Sequence, residues 1–196
     1  MCTAVSKRIL VTGPTRSGKS EWAEWLAIQS QQPVIYVATA QKRTDDLEWQ
    51  ARIAAHCQRR PQAWRTQEVP VELAVALRTA QAGECWLVDS LGTWLANCLE
   101  QSDVEWQVTV EQLLATIASI SGTLILVAEE TGWGVVPAYP LGRSFRDRLG
   151  YLTRRLGTLV DITYLVVAGY AVDLSTIGSP VPFLPENPIS QNITTS

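Results

Sequence analysis

Residues 13–20 read GPTRSGKS, and that spacing suits one task, the holding of phosphate. In a Gly-x-x-x-x-Gly-Lys-Ser loop the backbone N–H groups surround β- and γ-phosphate oxygens at the positive end of the following helix. Gly13, Pro14, Thr15, Arg16, Ser17, Gly18, Lys19 and Ser20 are therefore the expected nucleotide-binding loop. Lys19 adds a mobile cation, and the Ser20 hydroxyl can ligate the Mg²⁺ that bridges the phosphates. Pro14 has no N–H, so one possible phosphate donor is missing. A phosphate-bound Mg²⁺ also wants a carboxylate at the end of a neighbouring buried strand, and Asp89, closing ECWLVD, stands in that place. Capping the helix that starts near Leu91 is the competing role for Asp89.

The stretch RIAAHCQRRP, Arg52 to Pro61, holds the single histidine of the chain. A helix is predicted over 45–59. On it Glu48, Arg52, His56 and Arg60 recur every four residues, beside an apolar stripe with Leu47, Ile53 and Cys57. Two arginines one turn away disfavour imidazolium, which leaves a neutral ring with a free lone pair at pH 7. Arg52 and Arg60 could hold phosphate oxygens bidentately, and a neutral imidazole between them suits attack on phosphorus. Spacing alone favours the plainer reading, a solvated helix face that does no chemistry.

Such groups need rigid elements to carry them. Apolar runs at Arg8–Thr12, Val34–Ala38, Trp86–Asp89, Thr123–Ala128 and Ile162–Val167 predict short buried strands. Helical patterns lie near residues 18–30, 45–59, 70–81, 91–101, 104–120 and 140–158. In the last, Leu141, Phe145, Leu149, Leu152 and Leu156 form one apolar stripe. This alternation predicts an α/β fold, a mainly parallel sheet with helices on both faces. From Ser175 onward prolines recur among Ser, Thr and Asn, so the expected division is a domain over 1–174 and an extended tail over 175–196.

Composition narrows the class. The 196 residues carry 16 Lys and Arg against 19 Asp and Glu, a net charge of −3. That balance argues against a nucleic-acid partner, which calls for a basic field. No apolar run approaches the ~18 residues of a membrane span. The N-terminal apolar run is too short for a secretory signal, so a cytoplasmic location is expected. Cys2, Cys57, Cys85 and Cys98 form no CxxC pair and read as free thiols. The eight tryptophans are scattered and read as core and helix-packing residues rather than a stacking platform.

Taken in order, the motifs resemble those of the bifunctional adenosylcobinamide kinase/adenosylcobinamide-phosphate guanylyltransferase family of cobalamin biosynthesis. The P-loop is followed by Ala38-Thr39-Ala40, then Arg52, Ile53, His56, Arg60 and Pro61 with Trp64, Arg65 and Thr66. Next come Leu87, Val88, Asp89, Leu91, Trp94, Leu95 and Asn97, and a glycine block of Glu130, Gly132, Gly134, Val136 and Pro137. Arg143, Phe145, Arg146, Asp147 and Gly150 complete the series before YLVVAG. Pro14, Glu129 and Thr153 depart from the family pattern, at positions usually held by Gly, Asn and Asn.

The resemblance implies a RecA-like P-loop domain and a homotrimer. It also implies two reactions on a corrinoid substrate. ATP or GTP phosphorylates adenosylcobinamide, with Lys19 and Ser20 at the phosphates. His56 then takes GMP from GTP and passes it to adenosylcobinamide phosphate, which reverses the preference that spacing alone supports. The rival readings are another P-loop small-molecule kinase, which gives His56 no task, and a non-enzymatic nucleotide switch or a nucleic-acid motor.

Overall fold

The computed structural model describes residues 7–41, 60–134 and 136–182. The helix expected over 45–59, with Arg52 and His56, lies outside the described residues, as do Cys2 and Cys57. In chain order the described elements are β1 (Arg8–Gly13), α1 (Lys19–Gln29), β2 (Val34–Ala38), β3 (Arg65–Glu68), α2 (Leu73–Leu77), β4 (Cys85–Asp89) and α3 (Leu91–Asn97). They continue with α4 (Asp103–Ser119), β5 (Thr123–Glu129), α5 (Pro140–Gly157), β6 (Ile162–Val167), β7 (Tyr170–Asp173) and α6 (Leu174–Ile177).

The strands form one sheet in the order β3-β2-β4-β5-β1-β6-β7. Every neighbouring pair is parallel except the closing β6–β7 hairpin. Side chains alternate across a strand, so each strand feeds two cores. On one face Leu10, Ile35, Val88, Leu124 and Leu126 pack against residues of α2, α3, α4 and α5. On the other face Ile9, Val11, Leu87, Ile125 and Val127 pack with Ala23 and Ala27 of α1. Both faces are covered by helices, which is why β1, β4 and β5 read as continuous apolar runs.

Parallel strands end at the same edge, so the C-terminal ends of β1, β5 and β4 lie side by side. One strand, β5, thus lies between the strand that carries the P-loop and the strand that carries the carboxylate of Asp89. Gly13 is needed where β1 meets β6, because a Cβ there would collide with the Val166 carbonyl oxygen.

Several elements differ from the pattern in the sequence. The helix expected over 70–81 is only Leu73–Leu77. Beyond it the N–H of Thr79 donates to Ala76 and that of Ala80 to Leu77, so the chain tightens and leaves the helix. α3 stops at Asn97, whose amide nitrogen donates to the carbonyls of Thr39 at 2.8 Å and Pro70 at 2.9 Å. In α5, Leu149, Leu152 and Leu156 are buried as expected, whereas Leu141 is 58% exposed and lies off the core. The expected tail begins inside an ordered element. Asp173 caps α6 by accepting from the Ser175 N–H at 2.9 Å, and Ser175 Oγ accepts from Thr163 N at 2.8 Å. Arg154 also donates to the Pro182 carbonyl at 3.1 Å. No helix among the described residues is long and apolar enough to cross a membrane.

Candidate functional site

The loop from β1 to α1 turns through two left-handed residues, Arg16 at φ 58° and Gly18 at φ 96°, before α1 begins at Lys19. Glycine at position 18 makes this turn without a Cβ penalty. The turn is braced from both sides. The N–H of Glu130, just past β5, donates to Gly13 at 2.9 Å, and that of Gly169, in the β6–β7 turn, donates to Ser17 at 3.3 Å. Lys19 Nζ folds back to the Pro14 carbonyl at 3.4 Å, so its ammonium lies over the loop. Pro14 lacks a donor but supplies this acceptor.

Ser20 and Asp89 meet across the gap between α1 and β4. Ser20 Oγ donates to Asp89 Oδ1 at 3.5 Å, while Tyr36 of β2 donates its hydroxyl to Asp89 Oδ2 at 3.0 Å. Burial, and next the Asp89 charge, push the Tyr36 pKa upward, so the phenol stays a donor. Asp89 does not cap the next helix. That task falls to Ser90, whose Oγ accepts from the Thr93 N–H at 3.3 Å. A hydroxyl and a carboxylate are hard oxygen donors of the kind Mg²⁺ takes beside phosphate. Among the described residues no group of three or more His, Cys, Asp and Glu could hold a metal ion by itself. The donor set therefore fits an ion held partly by nucleotide.

Arg60 is placed next to this cluster. Its guanidinium carbon lies 3.3 Å from the centre of the Tyr36 ring, and Trp64 stacks on the same ring at 6.5 Å. The structure thus joins Lys19, Ser20 and Asp89 with the loop 13–20, and sets Arg60 one side chain away through Tyr36. His56 and Arg52 are outside the described residues.

Reading the chain did not single out Tyr36 or assign Glu129 a role. Glu129 ends β5, and its carboxylate accepts from Gly92 N at 2.9 Å and from Ser90 Oγ. A Cβ at Gly92 would strike that carboxylate. Thr39 completes the support, since its Oγ1 donates to the Ser90 carbonyl at 2.8 Å and accepts from Ser90 N at 2.9 Å. The sequence signals are faint: Thr39 sits in the Ala-Thr-Ala stretch, and Glu129 appears only as a departure from a family pattern.

The family model for cobinamide kinase / cobinamide phosphate guanyltransferase matches residues 9–174, from β1 to the first residue of α6. The chain belongs to this family. The match takes in the P-loop, Asp89 and the last parallel strand together. One similar family member is the bifunctional adenosylcobalamin biosynthesis protein CobP of Pseudomonas aeruginosa, 43% identical over 176 residues, which are 89% of this chain and 99% of that protein. Another is the bifunctional adenosylcobalamin biosynthesis protein CobU of Escherichia coli (strain K12), 34% identical over 181 residues, 85% of this chain and 98% of that protein. A solved structure from Pyrococcus horikoshii OT3 shares the fold, with a TM-score of 0.55 at 9% identity over 87% of this chain and 86% of that one. Kinase and guanyltransferase activities both draw on nucleoside triphosphates, the ligand class that a P-loop holds.

Proposed function

We propose that this chain phosphorylates adenosylcobinamide with ATP or GTP and then converts the product to adenosylcobinamide-GDP through a guanylylated His56. One observation carries the reading. A family defined by both activities matches the chain from β1 to α6, across the loop that brings Lys19, Ser20 and Asp89 together. In the kinase step the aminopropanol hydroxyl of the corrinoid attacks the γ-phosphorus, and the bond to the β-γ bridging oxygen breaks. Lys19 and the loop N–H groups stabilise the charge on the transferring group. Mg²⁺ bound through Ser20 Oγ and Asp89 would offset charge on the β- and γ-phosphate oxygens.

In the guanylyl step a ring nitrogen of His56 attacks the α-phosphorus of GTP, and pyrophosphate departs. A phosphate oxygen of adenosylcobinamide phosphate then attacks the same phosphorus, and the P–N bond breaks. Arg52 and Arg60 are the proposed anchors for the GTP phosphates. Arg60 is supported by its seat on Tyr36, beside the Asp89 cluster. The family resemblance further supports a homotrimer, and the short N-terminal apolar run supports a cytoplasmic site of action.

The test uses GTP labelled at the α- or the γ-phosphate, without corrinoid. The chain should acquire acid-labile, alkali-stable label from the α-position only, and His56→Ala should abolish it. Active protein that takes up no α-label would sink the guanylyl half. Lys19→Ala should greatly weaken phosphorylation of adenosylcobinamide, and unchanged turnover there would remove the P-loop from the kinase step.

A further inference from the structure

A P-loop grips phosphates through backbone N–H groups, which say nothing of the base attached to them. Beside this P-loop opens a cavity of about 370 Å³, lined in part by Ser17 and Gly18 of the loop, the carboxylate-bearing Glu21 with Trp22 and Trp25 of α1, and Gly169 of the β6–β7 hairpin. We infer that this cavity is the base subsite of the P-loop nucleotide and that it holds a purine by stacking on the indole pair Trp22–Trp25. The inference rests on the nucleotide reading of the P-loop proposed above.

Position comes first. Two loop residues line both the phosphate cradle and the cavity, and the Gly169–Ser17 hydrogen bond of 3.3 Å ties the far wall to the loop. At a rise of ~1.5 Å per residue, Trp22 and Trp25 lie about 4.5 and 9 Å beyond Lys19 along the helix.

The walls suit a flat ring. Trp22 and Trp25 are stacked, with centroids 4.7 Å apart and planes 16° from parallel, and Tyr164 meets Trp22 edge-on at 5.5 Å. These contacts hold the pair before any ligand arrives. Trp25 is nevertheless 47% exposed, whereas Trp86 and Trp94 are each 1% exposed. A pre-set indole surface left in water next to a phosphate cradle is unlike the core role expected of the tryptophans. The hairpin also leaves room, since a Cβ at Gly169 would meet no atom within 4 Å. The volume lies in the range of small-ligand pockets.

Stacking reads a π-face and not a hydrogen-bond pattern, so the subsite takes adenine and guanine alike. The full chain would be titrated with MgATP and, in the His56→Ala background that cannot be guanylylated, with MgGTP. Magnesium tripolyphosphate, which has no base, is the control. Trp25→Ala should weaken both nucleotides on the order of ten-fold and leave tripolyphosphate binding as it was, and Trp25→Phe should restore most of the loss. Nucleotide, but not tripolyphosphate, should also quench indole fluorescence. Unchanged ATP affinity in Trp25→Ala, or an equal loss for tripolyphosphate, would overturn the subsite. Because these readouts are binding, they stand apart from the reactions: failure of corrinoid phosphorylation leaves them intact, and failure of the subsite leaves His56 labelling intact.

Discussion

Tyr36 sits between the two groups of residues to which the family's chemistry is proposed to belong. Its hydroxyl holds Asp89 Oδ2 at 3.0 Å, and its ring carries the Arg60 guanidinium. Tyr36→Phe keeps the ring and deletes the donor. A hydrogen bond to a charged group contributes about 1.5–3 kcal/mol, so kinase kcat/KM should fall on the order of ten-fold or more. The Mg²⁺ concentration for half-maximal rate should rise as well. An unchanged Mg²⁺ requirement would separate Tyr36 from the metal side of the site. The buried thiols report on pH. Burial pushes Cys85 and Cys98 up to about 11 from 9.0, with the Glu72 charge adding at Cys98. The folded chain therefore keeps these protons after the unfolded chain has begun to release them. The resulting stability is fully present below about pH 9 and is lost as pH climbs through about 11. Urea midpoints should fall between pH 8.5 and pH 10.5, and fall less in a Cys85→Ala, Cys98→Ala double variant. An equal fall in that variant would assign the effect to other groups.

At the scale of elements, α5 tests how the core is shared. Leu152 is 0% exposed and packs in the core beneath α3 and α4, so Leu152→Ala should cost about 2–5 kcal/mol in urea unfolding. Leu141 lies on the same expected stripe but is exposed, and Leu141→Ala should cost no more than about 0.5 kcal/mol. Equal costs would mean that the stripe, and not burial, sets the energy. The five apolar strands were legible because burial on both sheet faces leaves a continuous apolar run, α5 because burial of one helix face leaves a periodic stripe, and α1 because a P-loop opens a helix. β3 was not legible. Arg-Thr-Gln-Glu has no apolar pattern, and only pairing with β2 at the sheet edge makes it a strand. β7 was missed because Ala168 and Gly169, both at positive φ, turn a single apolar run back on itself. Asp89 was legible as a strand-end carboxylate. Its partner Tyr36 was not, because nothing in Val-Ile-Tyr-Val-Ala separates a phenol aimed at a neighbouring strand's carboxylate from an ordinary core aromatic.

Across the whole molecule, the site is where the sheet's parallel strand ends converge, so occupying it should stabilise the entire fold. The P-loop is tied to β5 through Glu130 and to the β6–β7 hairpin through Gly169, and Ser20 reaches across to β4. No one of these ends can unfold without loosening the others, which makes a single cooperative transition the expected behaviour. A ligand that binds only the folded chain adds about 2.7 kcal/mol at a hundred times its Kd. For a chain of this length that corresponds to a rise in Tm of roughly 5–10 °C. MgATP should produce this rise in the wild type and almost none in Lys19→Ala. If Ser20 and Asp89 hold the metal, ATP with EDTA should stabilise less than MgATP. Asp89→Asn should then remove most of the increment due to Mg²⁺ while keeping the part due to ATP alone. The same Tm rise with and without Mg²⁺ in the wild type would detach the Ser20–Asp89 pair from the metal. A rise that survives Lys19→Ala would place the nucleotide away from the strand ends altogether.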